Sequence, residues 1–201
     1  RGRIYRRCSP PPRQAKVQTC PGLPAMNTRI SILIDLAIFQ AAWFACVLAT
    51  LSPFPRTLPL AGLALVISRV LQARRLKQVL PFLLGCAILG ILGDALVVKL
   101  GFLTFPPYPN LWGSPLWMVA LWLNLGLMLH PLFSWFIDNC LRAIIGFSLG
   151  GLVAYYSGDK LNVLTLEKDW QSALAIAVEW AVAGIVLHLV HIRFPRKELH
   201  S

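Results

Sequence analysis

Charge is scarce in this 201-residue chain: 13% of its residues are Asp, Glu, Lys or Arg, about half the share of an ordinary soluble domain. Acidic residues are scarcer still, eight in all. There is no HExxH and no histidine box, so the familiar metal-dependent chemistries lack their residues. No phosphate-binding loop, dinucleotide fingerprint or haem motif is present, and no cofactor is implied. The five cysteines form no CxxC and no metal-ligand spacing. Cys46, Cys86 and Cys140 fall one to an apolar segment and read as packing residues, not as a disulfide framework.

What the chain has instead is apolar length. Hydrophobic residues make up 57% of it. They gather in six runs: Ile30–Leu51, Thr57–Leu71, Val79–Leu100, Leu116–Phe136, Leu141–Ser157 and Trp170–Ile192. A spanning helix needs about 20 mostly apolar residues. Four runs reach that length, while the second and fifth fall short of it. A soluble protein hides one such helix in its core, not six. The expected fold is therefore all-α, a polytopic transmembrane helical bundle of about six spans.

The basic residues orient it. Arg29, Arg69, Arg74, Arg75, Lys77, Arg142, Arg193, Arg196 and Lys197 fall on one side of the spans. Arg56, Lys99, Lys160 and Lys168 fall on the other, diluted by Asp159, Glu167 and Asp169. The positive-inside bias predicts a multi-pass membrane protein with both termini cytoplasmic.

The net charge of +11 is not a nucleic-acid footprint, because six of the basic residues lie within the first 25 positions. That stretch is rich in proline and has no apolar periodicity, so it reads as a disordered tail over residues 1–25. Met26 stands directly before the first span and is a candidate start, with the upstream residues then not native. The transmembrane domain is expected over 26–193 and a short cytoplasmic tail over 194–201.

Polar residues inside spans are costly and concentrate where a membrane protein works. Asp94, His130 and Glu179 are the candidate catalytic groups. Each also has a structural alternative: Asp94 capping a neighbouring helix or pairing with Lys99, His130 answering the carbonyl freed by Pro131, and Glu179 held neutral. Asp35, Gln40, Asn124 and His188 are the remaining intramembrane polar residues. His188 and His191 are spaced i, i+3, but no third ligand is in view and no metal site is assigned.

Gly146, Gly150, Ala154 and Gly158 form a row of small residues at i, i+4 steps, the kind of face on which helices approach closely in lipid. Ala173, Ala177, Ala181 and Gly184 offer a matching face, and the two are expected to pack together or against neighbours. The loop 101–115 carries Phe102, Phe105, Tyr108 and Trp112, either an interfacial aromatic belt or a lid near Asp94.

Gly93-Asp94, the run Pro115-Leu116-Trp117-Met118-Val119-Ala120-Leu121-Trp122, and Gly150-Gly151-Leu152-Val153-Ala154-Tyr155-Tyr156-Ser157-Gly158 together resemble a bacterial inner-membrane family, domain of unknown function 2878. The likeness covers about Ile34 to Val190. It departs at Leu152, where proline is usual, and at Asn162-Val163, where Gly-Ala is usual. The resemblance implies a multi-pass inner-membrane protein and brings no established reaction. It also implies an association with fatty-acyl modification, which points toward membrane lipid.

Three functional readings follow, and whether the protein is an enzyme stays open. The first is an accessory or scaffold protein associated with membrane lipid or a partner protein. Its small-residue faces then serve as interfaces to a partner or to a second copy. The second is an intramembrane enzyme acting on lipid acyl chains or headgroups through Asp94 and His130. The third is a small proton-coupled transporter using Glu179 and Asn124, placed last because the halves show no repeat.

Overall fold

A computed structural model of the chain describes residues 28–194. The tail expected over 1–25, its Met26 boundary and the segment from 195 onward lie outside the described residues. Six α-helices follow one another: α1 Thr28–Val47, prolonged by a 3-10 turn Leu48–Leu51, α2 Thr57–Gln72, α3 Leu76–Lys99, α4 Leu116–Ile137, α5 Cys140–Lys160 and α6 Asp169–Arg193. Each grows from one of the apolar runs, because a continuous α-helix satisfies its own backbone where water is absent. Five are long and apolar enough to cross a membrane. The fifth run is not short after all: its helix continues through Gly158, Asp159 and Lys160 to 21 residues. The 16 residues of α2 reach only about 24 Å at 1.5 Å per residue, less than the ~30 Å hydrocarbon core.

Within the bundle α1 packs on α2, α3 on α4, and α5 most extensively on α6. The α4 helix is the centre of the bundle. Of its apolar window 56% is buried, against 22–28% for the other four long helices. The outer helices present leucine stripes instead, as with Leu80, Leu84, Ile88, Leu92, Leu96 and Leu100 at four-residue steps along α3. A continuous apolar stripe of this kind is stable against lipid and not against water.

The two ends differ. Arg69, Arg74, Arg75, Lys77, Arg142 and Arg193 gather at one, the basic end. There Asn139 caps α5, its Oδ1 accepting from the Arg142 N–H at 3.1 Å.

The opposite end is closed by short strands. Strands β2 (Asn110–Leu111) and β3 (Ser114–Pro115) form a hairpin across Trp112 and Gly113. Their φ values of 55° and 105° make a turn whose twist suits a two-residue hairpin. Strand β1 (Leu103–Thr104) pairs antiparallel with β4 (Thr165–Leu166), tying the α3–α4 loop to the α5–α6 loop. Thr104 Oγ1 donates to Glu167 Oε1 at 2.5 Å across that junction. Tyr108 donates to the Pro55 carbonyl, and its partial burial holds the phenol above its ordinary pKa, so it remains a donor at neutral pH. The aromatic residues of the loop divide: Phe105 meets Trp117 edge-on at 5.8 Å, whereas Trp112 is 73% exposed.

Candidate functional site

Polar groups separate into two clusters joined by apolar core. At the basic end Asp35 of α1 is fully buried and clamped by Arg69 of α2 and Arg75 of the α2–α3 turn, each at 2.6 Å. Ser31 Oγ accepts from the same guanidinium groups, at 2.8 Å from Arg69 and 3.5 Å from Arg75. With every oxygen paired, Asp35 is a strut between three segments. It offers nothing to a ligand.

The second cluster surrounds Asp94, which α3 places at the hairpin end. Ser114 Oγ donates to Oδ2 at 2.9 Å, and the Tyr155 hydroxyl of α5 donates to Oδ1. The Trp122 indole N–H approaches the same carboxylate without closing a hydrogen bond of normal geometry. Lys99 is exposed and does not pair with Asp94. The loop 101–115 seals this region through Ser114, so Asp94 is wholly excluded from solvent.

Trp122 of α4 stacks on Trp180 of α6 with ring centroids 4.6 Å apart, and Trp180 meets Tyr155 edge-on at 6.2 Å. Two glycines make room for this aromatic slab. A Cβ at Gly90 would fall on the Trp122 ring, and one at Gly151 on the Trp180 ring. Glu179 of α6 lies beside Gly93 of α3, where a Cβ would meet its carboxylate. Both Glu179 oxygens are hidden and neither has a hydrogen-bond partner.

The sequence-predicted residues therefore do not converge on one site. Glu179 joins Asp94, with which it interacts electrostatically. His130 does not. It rests against Phe82, with centroids 5.7 Å apart, and Phe82 lies twelve residues before Asp94 on α3, about 18 Å along the helix axis. An Asp94–His130 acid–base pair is excluded by that separation. His188 Nδ1 is 2.8 Å from the Ile137 carbonyl and serves the α4–α6 contact. Asn124 Nδ2 donates to the Phe39 carbonyl at 3.2 Å, joining α4 to α1. Gln40 is exposed on α1. Among the described residues no three His, Cys, Asp or Glu side chains come together as metal ligands.

Helix α5 does not use its small-residue row against α6; the row packs against other neighbours at Gly146 and Gly158. The helix's contact with α6 runs along a neighbouring face, through Ser148, whose Oγ donates to the Ala177 carbonyl at 3.1 Å, and through Gly151 under Trp180. Gly184 of α6 packs as expected, its absent Cβ facing the Ala143 carbonyl of α5 at 2.8 Å. In the row itself, Gly146 meets Phe136 and Gly158 meets Leu164, but a Cβ at Gly150 would have nothing within 4 Å. The row lines a groove of about 350 Å³ between α1, α4 and α5. Gln40 and Trp43 form its α1 wall, Leu121 and Leu125 its floor, and Tyr155 touches it from the Asp94 side. A second groove, of about 780 Å³, lies between α3 and α6 on the other side of the tryptophan stack.

Sequence reasoning singled out Asp94 and missed the residues that complete it. Tyr155 and Ser114 are 61 and 20 positions away, with no local pattern joining them to an aspartate. The available signal was Tyr155 itself, a hydroxyl-bearing ring one four-residue step beyond Gly151 on α5. No curated protein and no solved structure matches the chain. A family model described as protein of unknown function (DUF2878) matches residues 32–186, more than half of the sequence, and the chain belongs to that family.

Proposed function

We propose that this protein is a lipid-binding accessory protein of a bacterial inner membrane, which holds one acyl chain of a bilayer lipid in the α1–α4–α5 groove. The observation that carries this reading is the small-residue row of α5, which opens a space facing α1 instead of closing on α6. From Gly146 to Gly158 the row runs about 18 Å, close to the ~15 Å depth of one hydrocarbon leaflet. The lining is aromatic and aliphatic, with Gln40 as its polar feature on α1. Such a surface, beside lipid, suits an acyl chain. The cluster of arginines at the basic end supports cytoplasmic termini, by the excess of Lys and Arg that marks cytoplasmic loops.

The test is the lipid retained by the purified protein. Wild type is expected to carry one tightly held lipid in native mass spectrometry, and Gly150→Trp to lose it while remaining folded. An equal lipid content in the two proteins would overturn the reading.

A second reading, an intramembrane enzyme acting on acyl chains, draws on the contact of Tyr155 with both the groove and Asp94. In that reading Tyr155, oriented by Asp94, is the group that meets the chain, and His130 has no part. Tyr155→Phe would then change the acyl profile of the membrane without releasing the bound lipid.

A further inference from the structure

Among the described residues Glu179 is the one buried carboxylate whose oxygens have no hydrogen-bond partner, and it lines the larger groove. Protonation does not remove the difficulty, since a buried carboxylic acid still needs a partner for its O–H. Asp94, its nearest charged neighbour, has the same sign and already takes bonds from Tyr155 and Ser114. Lys168, at the mouth of the groove, is engaged elsewhere. Its Nζ donates to the Leu100 carbonyl at 3.2 Å and sits 4.6 Å from the Phe102 ring centre. Among the described residues no positive charge pairs with Glu179, and a groove leads to it.

We infer that the α3–α6 groove is a binding site for an amphiphilic amine, with Glu179 as counter-ion to its ammonium group. The volume, about 780 Å³, falls within the range of small-molecule sites. Leu92 and Leu96 of α3 and Val178 and Val182 of α6 line an apolar channel for the ligand's body. Trp122 closes the inner wall beside Glu179, and Trp170 and Phe102 add aromatic surface to the same groove. Indole faces attract organic cations. A metal ion fits less well: hard cations take six or more oxygen ligands or retain water, and among the described residues Glu179 is the only carboxylate lining this groove. Gly93 completes the arrangement, because any side chain there would occupy the position of the carboxylate.

This site lies across the tryptophan stack from the proposed acyl-chain groove, and its test stands apart from that one. Protein purified in a neutral maltoside detergent is titrated with dodecylamine and with dodecanol, following tryptophan fluorescence. Wild type is expected to bind the amine about tenfold more tightly than the alcohol, the worth of one charge-assisted hydrogen bond. Glu179→Gln is expected to lose that preference while keeping its elution profile. Leu96→Trp, which keeps Glu179 and fills the channel, is expected to weaken amine binding by a similar factor, and it carries the test should Glu179→Gln not fold. Equal affinity for amine and alcohol in wild type, a preference that survives Glu179→Gln, or amine binding undiminished in Leu96→Trp would overturn the proposal. Repeating the titration in phosphatidylethanolamine and in phosphatidylglycerol nanodiscs separates two sources of the amine. Competition confined to the first assigns a lipid headgroup, and equal binding in both assigns a free amphiphile.

Discussion

Tyr155 donates its phenolic hydrogen to Asp94, from the last third of α5 to the last third of α3, and thereby fixes one oxygen of a carboxylate that no water reaches. Ser114 fixes the other from the hairpin. Three segments far apart in sequence thus meet on one side chain. Tyr155 also forms part of the wall of the α1–α4–α5 groove. The pair links the closing hairpin to the surface on which an acyl chain is proposed to lie.

Removing the phenolic hydroxyl leaves a buried carboxylate one donor short, at a cost of about 1–3 kcal/mol. Tyr155→Phe is expected to lower stability by that amount in chemical unfolding from detergent. The double variant with Asp94→Leu is expected to lose less than the sum of the two single changes, because contacting residues are coupled. Strict additivity would show that the bond contributes nothing.

The glycines of the bundle divide into two kinds. Gly90 and Gly151 have tryptophan rings where a Cβ would stand, so Gly90→Leu and Gly151→Leu should destabilise by about 1–3 kcal/mol through overpacking. Gly150 has open space in the same position, and Gly150→Leu should leave the thermal midpoint nearly unchanged. A large loss at Gly150 would mean that the row packs against another helix after all.

At the basic end, Asp35 depends on two guanidinium groups of unequal burial. The Arg69 side chain is 11% exposed and that of Arg75 is 28% exposed. Arg69→Met is expected to cost about 2 kcal/mol, in the range of hydrogen bonds to charged groups. Arg75→Met should cost less, since water screens the more exposed pair. Thermal unfolding of the two variants in one detergent checks the order, and the reverse order would contradict it.

Most of the fold was legible because its elements announce themselves locally. The runs that begin at Thr57 and Leu116 start their helices at those residues, and the observed ends stay within a few positions of the expected ones. Apolar length and flanking charge suffice for that, since lipid demands helices. Faces were harder. Gly146, Gly150, Ala154 and Gly158 share a side of α5 in any helix, but only the packing of Trp180 over Gly151 decides that α6 takes the neighbouring side. The polar partners were harder still. Asp35 with Arg69, and Asp94 with Tyr155, are pairings between segments, set by how the helices dock and not by spacing along any one of them.

The most direct test of the acyl-chain reading is photo-crosslinking in nanodiscs with a phospholipid bearing a diazirine at mid-chain, mapped by peptide mass spectrometry. Labelling is expected inside the groove, at Leu121, Leu125 and Ala154, and is expected to vanish there in Gly150→Trp. Labelling restricted to the outward stripes, such as Leu149 and Val153 of α5 or Leu84 of α3, would contradict it.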